Sequence, residues 1–502
     1  MTTDSPLFDV LVIGGGVNGT GIAMDAAGRG LRVCLCEMDD LASATSSNSS
    51  KLVHGGLRYL EHYEFGLVRK ALIERELLLN SAPHIMWPLR FRLPHRPHLR
   101  PAWMIRVGLF LYDHLARRER LPGSCAIRFG DNSPLQPQIT KGFEYSDGWV
   151  DDARLVVLCA LAARERGAEI RTRTRCIKAR RKAGLWHLTL QNTVTGERQQ
   201  CRSRALVNAA GPWASTLFAD TLAMPSPRQL RLVKGSHILV PRLHDEPVAY
   251  ILQSQDNRIV FVLPYQQRFS LIGTTDVDYQ GDPAEVAIDD AEVAYLCNLV
   301  NGYFKRQTSP AEVVWRYSGV RPLIDNAEGE AQQASRDYSF ELNAPEGEPP
   351  LLSVFGGKLT TYRLLANDAT NTLCRFFAEA GPAWTHTAVL PGGNFSTQAR
   401  LAEALRSHYP WLPDALLQRF VRSYGTLCHR FLQGCEQLED MGEAFGDQLY
   451  QKEVDYLIAH EWAGTADDIL WRRTKLGLEL HDEARERLQR YLQAPDTRPP
   501  TS

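Results

Sequence analysis

The sequence predicts an α/β protein, and three patterns along the chain carry this prediction. Between residues 8 and 37 a short apolar strand, a glycine-rich turn, a helix of small residues and a second strand follow one another, which is the order of a βαβ unit. Polar and apolar residues alternate between Leu230 and Asp278, as in an antiparallel sheet. Helix-forming sequence then dominates from about Thr397 to Gln493.

The overall composition is that of an ordinary globular protein. A length of 502 residues exceeds what one hydrophobic core serves, so we expect two or three domains. The formal net charge of -1 excludes a protein-wide field that would attract nucleic acid or an anionic surface, and any electrostatic preference must be local. No run of about 18 apolar residues predicts a transmembrane helix. The 10 cysteines lack metal-ligand spacing, and we expect reduced thiols in the cytoplasm and no metal site.

The glycine-rich turn reads I-G-G-G-V-N-G from Ile13 to Gly19 and fits the G-x-G-x-x-G pattern of dinucleotide-binding folds. Gly14 permits the tight turn, Gly16 lets the backbone approach a pyrophosphate, and Gly19 lets helix and strand pack closely. The free N–H groups and positive dipole end of the helix then face the phosphates. Glu37 follows Gly16 by 21 residues (37 − 16), where a ribose-binding carboxylate is expected.

Two later segments favour FAD over NAD as the dinucleotide. The segment A-L-V-N-A-A-G-P-W, residues 205–213, is an apolar strand that runs into small residues and Gly211. The segment V-F-G-G-K-L-T-T-Y-R, residues 354–363, places a glycine turn before a second helix, whose dipole end suits the edge of a flavin ring. A chain that returns twice to the site suits FAD, because that cofactor is long and stays bound.

Two long stretches resemble the signatures of a known family. Residues 13–30 and 356–366 are similar to the first and second signatures of FAD-dependent glycerol-3-phosphate dehydrogenases. The resemblance is strongest to the bacterial aerobic members and covers nearly the whole chain. It continues through S-S-K-L-V-H-G-G-L-R-Y-L-E, G-S-H-I-L-V-P, I-G-T-T-D, Y-S-G-V-R-P-L and D-D-I-L-W-R-R-T-K.

The resemblance implies a glutathione-reductase-like FAD-binding Rossmann domain, an antiparallel-sheet substrate domain and a helical C-terminal cap domain. The implied reaction is oxidation of sn-glycerol 3-phosphate to dihydroxyacetone phosphate, with electrons passed from FAD to a membrane quinone. The expected partners are this substrate, the quinone, the inner face of the cell membrane and a second copy of the chain, but no nucleic acid. The expected domains are 1–80 with 145–230 and 350–390 for FAD, 81–144 with 231–349 for the substrate, and 391–502 for the cap.

The resemblance and the glycine motifs together assign the cofactor contacts. The residues expected at FAD are Gly14, Gly15, Gly16, Asn18, Gly19, Glu37, Thr45, Ser46, Ser50, Leu52, His54, Gly211, Gly357, Lys358, Leu359 and Thr360.

A substrate phosphate near charge −2 requires cations in the pocket. The candidates inside matched motifs are Arg58, Arg321 and Lys358, with Arg336 in A-S-R-D-Y as a fourth; a solvated surface arginine is the alternative for each. Lys358 could instead serve the N1–C2=O region of the flavin. Tyr59 could donate a hydrogen bond to the substrate or could simply be a packed aromatic residue.

Oxidation of a secondary alcohol needs a base for the hydroxyl proton. His237, in K-G-S-H-I-L-V-P, is the candidate base, because an unperturbed pKa of about 6.5 suits a base near neutral pH. Arg321 is expected to hold the C2 oxygen and stabilise the developing alkoxide. His54 is a rival base, but the resemblance places it against the flavin. The alternative for His237 is a strand histidine with a structural role.

One basic and aromatic segment predicts contact with a membrane surface. We expect a loop over residues 89–101 and an amphipathic helix over residues 102–118. The alternative is an ordinary packed helix beside a solvated arginine loop. The arginines are Arg90, Arg92, Arg96, Arg100 and Arg106, and the interleaved apolar residues are Trp87, Trp103, Met104, Val107, Phe110 and Leu111.

Two rival functions stay open on the sequence. A glycerol-3-phosphate oxidase would pass the electrons to oxygen and make peroxide. A flavin-bearing binding protein, such as a sensor, would not turn over; the pocket cations and His237 argue against it.

Overall fold

A computed structural model describes residues 5–96, 100–254, 258–324, 337–446 and 448–493. The strands are β1 (Leu7–Ile13), β2 (Val33–Cys36), β3 (Leu52–Val53), β4 (Met86–Pro94), β5 (Cys125–Arg128), β6 (Lys141–Val150), β7 (Glu169–Arg171), β8 (Thr174–Lys182), β9 (Leu185–Asn192), β10 (Arg198–Asn208), β11 (Leu230–Pro241), β12 (Val248–Gln253), β13 (Ile259–Tyr265), β14 (Phe269–Gly273), β15 (Val277–Asp278), β16 (Trp315–Ile324), β17 (Ser339–Asn343), β18 (Leu351–Phe355), β19 (Ala444–Gly446) and β20 (Leu449–Tyr450). The helices are α1 (Val17–Gly28), α2 (Phe65–Ser81), α3 (Ala102–His114), α4 (Asp152–Arg164), α5 (Asp290–Asn301), α6 (Tyr362–Leu373), α7 (Gln398–His408), α8 (Asp414–Ser423), α9 (His429–Leu432), α10 (Gln451–Glu461) and α11 (Asp482–Gln493).

The first sheet is the predicted parallel sheet. Its strands run in the order β17-β18-β10-β1-β2-β7, with parallel pairing from β18 to β7. The hairpin of β8 and β9 extends from the first half of β10. Helices α1, α4 and α6 pack on one face against Val10 and Val12, and the hairpin closes the other face against Phe8 and Leu11. Both faces are therefore covered, as parallel sheets require.

The second sheet is largely antiparallel. Its order is β15-β11-β14-β13-β12-β4-β6-β3, with β16 paired to β11 and β5 paired to β6. Only the pairing of β12 with β4 is parallel among the strand pairs that the structure describes in this sheet. Helices α2 and α3 cover one face, while α5 covers the other. The predicted fold class, an FAD-domain-like α/β sheet with an antiparallel sheet and a helical C-terminal region, is confirmed.

Strand β4 corrects the first part of the loop expected over residues 89–101, because residues 89–94 belong to the strand. Leu89, Phe91 and Leu93 alternate into the core, which is the period of a strand. The intervening Arg90 and Arg92 both form ion pairs with Glu144 on β6. Arginine and proline in this stretch hid the alternation, because the acidic partner lies on another strand.

The C-terminal helices α7, α8, α10 and α11 share one hydrophobic core with the α1–α4–α6 layer. A buried ion pair between Arg154 on α4 and Glu461 on α10 crosses this contact. A second pair joins Arg473 to Asp40, which follows β2. The helical region is therefore fastened to the parallel sheet by charge as well as by apolar packing. No helix of the described ranges combines the length and apolar character that a bilayer span needs.

Candidate functional site

One cavity of about 1570 Å³ is lined by residues of both sheets. The turn after β1 forms one part of its wall, and β11 and β16 form another. This volume exceeds the ~300–1,000 Å³ of a typical small-molecule site, so the cavity has room for a dinucleotide together with a substrate.

The glycine-rich turn is as tight as its pattern predicts. Gly14 has a φ of +115°, a conformation that L side chains rarely adopt, and a Cβ there would lie 2.4 Å from the carbonyl oxygen of Ala209. A Cβ on Gly19 would lie 1.9 Å from the carbonyl oxygen of Gly14, so α1 packs directly against the turn. The N–H of Val17 donates to Ser46 Oγ over 3.0 Å. The start of α1 therefore faces the cavity with its backbone closely held.

Glu37 follows β2 and lines the same cavity. Its carboxylate accepts hydrogen bonds from the N–H groups of Gly15, over 2.6 Å, and Asp39, over 2.9 Å. Burial raises the pKa of Glu37, while these two hydrogen bonds oppose that rise. Glu37 therefore fixes the backbone of the glycine-rich turn, next to the place where a ribose would bind.

The second glycine motif meets the first at Asn18. Asn18 Nδ2 donates to the carbonyl oxygen of Gly356 over 3.2 Å, whereas its buried Oδ1 finds no hydrogen-bond partner among the described residues. Gly356 and Gly357 have φ values of +74° and +102°, and the helical turn that follows them leads into α6. The orphaned amide oxygen, the two glycine turns and the two helix starts form a cradle that fits a long dinucleotide.

The structure places most of the expected cofactor contacts on the cavity wall. Gly15 and Gly19 instead fix the geometry of the turn behind it. The residues on the wall are Gly14, Gly16, Asn18, Glu37, Thr45, Ser46, Ser50, Leu52, His54, Gly211, Gly357, Lys358, Leu359 and Thr360.

His237 lies on β11 and faces the cavity. Its Nε2 lies 2.9 Å from Ser50 Oγ, and its ring stacks on Tyr317 with the centroids 4.8 Å apart. Burial lowers its pKa well below the usual value, and the positive charges of Arg321 and Lys51 lower it further. The expected unperturbed pKa is therefore corrected: the imidazole is neutral at neutral pH, which is the form that can accept a proton.

Arg321 lies on β16 across from β11 and also lines the cavity. It forms an ion pair with Asp276, and its Nη2 donates to Thr274 Oγ1 over 2.9 Å. A Cβ on Gly235 would lie 2.5 Å from the same nitrogen, so glycine makes room for the guanidinium. Asp276 was not expected at the site, although it ends the quoted motif I-G-T-T-D; an acidic residue inside a matched motif was the available signal.

The remaining expected substrate residues are only partly located. Lys358 Nζ lies 3.8 Å from the ring centroid of Tyr59, and both residues line the cavity. Arg58 belongs to a short helical turn, Leu57–His62, but its side chain lies outside the described part of the structure. Arg336 also lies outside the described residues.

Arg90 and Arg92 do not form part of a free basic face. Both pair with Glu144, and Arg92 also pairs with Glu246. Arg100 forms an ion pair with Glu61, and Arg106 contacts Ser124. What the segment does present to solvent is an apolar stripe on α3, formed by Trp103, Met104, Val107, Phe110 and Leu111.

Comparisons with known proteins agree with this geometry. Residues 9–363 match the model of the FAD dependent oxidoreductase family, and residues 383–494 match that of the C-terminal domain of alpha-glycerophosphate oxidase. A glycerol-3-phosphate dehydrogenase of Pseudomonas aeruginosa is 58% identical over 98% of this chain and 97% of its own length. The aerobic glycerol-3-phosphate dehydrogenase of Escherichia coli is 54% identical, over 96% and 97% of the two chains. The chain belongs to the FAD-dependent glycerol-3-phosphate dehydrogenase family.

As a member of this family the protein is an oxidoreductase, and the cofactor for its glycine cradle is FAD. The solved glycerol-3-phosphate dehydrogenase of Bacillus halodurans, complexed with FAD, is 25% identical and superposes with a TM-score of 0.73, covering 97% of this chain and 94% of that one. A D-erythritol 1-phosphate dehydrogenase of Brucella abortus is 51% identical, over 95% and 96% of the two chains.

Proposed function

We propose that the protein oxidises sn-glycerol 3-phosphate to dihydroxyacetone phosphate and delivers the electrons to a membrane quinone. The observation that carries the proposal is that one cavity joins the glycine cradle to His237, Arg321 and Lys358. Two glycerol-3-phosphate dehydrogenases are 58% and 54% identical to this chain over nearly its whole length, and this similarity supports the same substrate.

The oxidation removes a hydride from C2 of the substrate and a proton from the hydroxyl group on that carbon. The glycine cradle formed by the turns at Gly14 and Gly356 would hold FAD, which would supply the hydride acceptor. His237 is neutral in this environment and takes the hydroxyl proton. Arg321 stabilises the negative charge that develops on the oxygen, and its ion pair with Asp276 holds the guanidinium in place. Lys358 supplies a cation for the phosphate, with Arg58 and Arg336 as proposed partners.

An anaerobic titration tests cofactor, substrate and hydride direction together. The substrate should bleach the yellow colour of the bound flavin without oxygen, and persistence of the colour would contradict the proposal. His237→Ala should keep its bound FAD and lose turnover by about 10²–10⁴-fold, the usual contribution of a general base. Near-normal turnover in that variant would remove His237 as the base.

D-Erythritol 1-phosphate is the second candidate substrate, because the 51% identical relative carries its name. Both molecules place a phosphate on the carbon next to a secondary alcohol, so the same base and cations serve either one. We expect a higher kcat/KM for glycerol 3-phosphate. A higher value for the four-carbon phosphate would reassign the substrate and leave the hydride chemistry intact.

The apolar stripe of α3 supports the membrane part of the proposal. Trp103 is 67% exposed and Phe110 is 54% exposed, which is more than a packed helix face shows. Met104, Val107 and Leu111 of the same helix also line the cavity. An aromatic and apolar helix face suits the interface of a bilayer, and its continuity with the cavity gives a lipid-dissolved quinone a way to approach.

Liposome flotation tests this surface. Changing Trp103 and Phe110 together to Glu should abolish flotation and lower reduction of a long-chain quinone in liposomes, while reduction of a soluble dye stays unchanged. Val194→Glu is the matched control, because Val194 is 73% exposed in the turn between β9 and β10. Unchanged flotation of the double variant would contradict the assignment.

The electron acceptor is tested by comparing peroxide formation with quinone reduction at equal substrate. We expect quinone reduction to dominate, whereas stoichiometric peroxide would make the protein an oxidase. A location at the inner face of the cell membrane and a homodimeric state are part of the proposal. Fractionation of cells and sedimentation of the purified protein measure them.

A further inference from the structure

The buried carboxylate of Asp152 organises the turn formed by Ser49, Ser50 and Lys51. Asp152 is fully buried at the start of α4. It accepts hydrogen bonds from Ser49 Oγ, over 2.7 Å, and from the N–H of Ser49, over 3.2 Å. It also receives Lys51 Nζ at 2.8 and 3.0 Å from its two oxygens. One carboxylate therefore holds both ends of the turn.

Lys51 is held in an unusual backbone conformation by these contacts. Its φ is +58°, in the left-handed region that non-glycine residues avoid, and its side chain is 4% exposed. The ammonium group also donates to the carbonyl oxygen of Ser47 over 2.9 Å. Such a conformation persists only where the surroundings determine it from several sides. Here the ion pair with Asp152 holds Lys51 in this conformation.

The same turn contacts the proposed base through Ser50 and holds Tyr317, the residue that stacks on it. Ser50 Oγ lies 2.9 Å from Nε2 of His237. The hydroxyl of Tyr317 donates to the carbonyl oxygen of Ser49 over 2.9 Å, and the Tyr317 ring stacks on the imidazole. The imidazole is therefore held at its edge and on its face by contacts that both lead back to residues 49 and 50.

The C-terminal helical region contacts residues next to Asp152 and Tyr317. Lys475, which is buried, lies 3.2 Å from the carboxylate of Asp151, next to Asp152. Trp471 stacks on Trp315, two residues before Tyr317 on β16, with the ring centroids 3.8 Å apart. The helical region therefore contacts both the acidic pair and the strand that carries Tyr317.

We propose that the Asp152–Lys51 pair positions His237 for proton transfer through the Ser49–Lys51 turn. Asp152 and Lys51 are positioning residues, since they reach the imidazole through Ser50 and Tyr317. The inference rests on the proposed role of His237 as the base. The pair thereby has a function besides stability. Loss of the pair would free both Ser50, which contacts Nε2 of the imidazole, and Tyr317, which stacks on its ring.

Two variants test the proposal, and a third controls for the cost of breaking a buried ion pair. Asp152→Asn and Lys51→Met should each lower kcat, measured per bound flavin, by about 100-fold, the loss that a displacement of about 1 Å causes at a reacting group. KM should change far less, because neither side chain holds the substrate. Glu453→Gln breaks the comparable pair with Arg419 in the helical region and should leave kcat unchanged.

The acid limb of the pH profile separates positioning from general destabilisation. The charges set around His237 are those of Lys51, Arg321, Asp152 and Asp276. Lys51→Met removes a cation and should raise the apparent pKa of the base, whereas Asp152→Asn leaves that cation unpaired and should lower it. The pKa of His237 followed by histidine NMR in the holoenzyme should move in the same two directions. Shifts in one common direction, or none, would overturn the proposal.

A double-mutant comparison completes the test. In a His237→Asn background, Asp152→Asn should cause no further loss of kcat, because the base through which it acts is gone. Full additivity would overturn the positioning role and leave the proposed function standing. Near-normal activity of His237→Asn alone would instead overturn both. If Asp152→Asn does not fold, Lys51→Met and its charge-conserving partner Lys51→Arg decide the same question, since the arginine variant should recover activity that the methionine variant lacks.

Discussion

Gly19→Ala tests how closely α1 must approach the glycine-rich turn. The added Cβ would lie 1.9 Å from the carbonyl oxygen of Gly14, and real Cβ contacts essentially never fall below 3.0 Å. The start of α1 must therefore retreat by at least 1.1 Å (3.0 − 1.9) or the turn must open by that amount. Overpacking of this kind costs about 1–3 kcal/mol. The atoms that move are backbone atoms, so rotation of a side chain cannot relieve the contact.

The same displacement should weaken FAD binding, because the start of α1 lines the cavity that we expect to hold the cofactor. If binding loses the same 1–3 kcal/mol, the Kd for FAD rises about 5- to 150-fold. The Tm should fall by about 1 °C for each kcal/mol, because the unfolding entropy of a chain of 502 residues is about 1 kcal/mol/K. The assays are flavin content after purification, titration of the apoprotein with FAD, and thermal unfolding. Full flavin content with an unchanged Tm would refute the reasoning.

Gly66→Ala is the matched control for this substitution. Gly66 lies in the first turn of α2, where an added Cβ meets no described atom within 4 Å. Alanine there should leave FAD binding unchanged and stabilise the helix by about 0.5–1 kcal/mol, because glycine loses more backbone freedom on folding. A loss of flavin in this variant would show that the assay reports helix substitution in general.

Three further outcomes follow from individual titratable side chains. Glu461→Gln leaves Arg154 without its buried partner, so the free energy of unfolding should fall by about 3–5 kcal/mol in urea, and a change below about 1 kcal/mol would contradict this. Burial lowers the pKa of His84 to about 3, whereas the unfolded chain takes up this proton near pH 6.5. Stability should therefore fall as the pH drops below 6.5, by about 2 kcal/mol at pH 5, and His84→Gln should flatten the curve of Tm against pH. Lys358→Met should lower kcat/KM by about 10- to 150-fold, the worth of a hydrogen bond to a charged group, while retaining FAD; wild-type kinetics would exclude this lysine from the site.

The part of the site that the sequence predicts best is the part built from neighbouring residues. The spacing of Gly14, Gly16 and Gly19 sets a strand, a turn and a helix that touch one another, so the local pattern contains the geometry. The N-terminal cap of α4 is local in the same way, since the side chain of Asp151 accepts the N–H of Arg154. In both cases the interacting groups lie within a few residues of each other.

The ion pairs between distant parts of the chain, which set the charges in the site, could not be predicted from the sequence in the same way. Arg321 meets Asp276 across 45 residues, and Lys51 meets Asp152 across 101 residues. Such pairs depend on which strands become neighbours, and no local period records that. The lowered pKa of His237 has the same origin, because burial between β14 and Tyr317 sets it. Strand β4 was missed for a related reason: its arginines look solvated until Glu144 is placed beside them.

The position of β18 in the parallel sheet determines when the cofactor can be captured during synthesis. Leu351 of β18 pairs beside Leu206 of β10, and the turn after β18 supplies the carbonyl that Asn18 contacts. The glycine-rich turn leaves the ribosome 338 residues before Leu351 does (351 − 13). At about 5–20 residues per second this interval lasts roughly 20–70 s. For the last 143 residues of that interval (351 − 208), after β10 has been made, the edge of β10 beyond its hairpin is unpaired and is open to wrong partners. We therefore expect FAD capture only after the turn that follows β18 has been made, when about 150 residues remain to be synthesised (502 − 351 = 151).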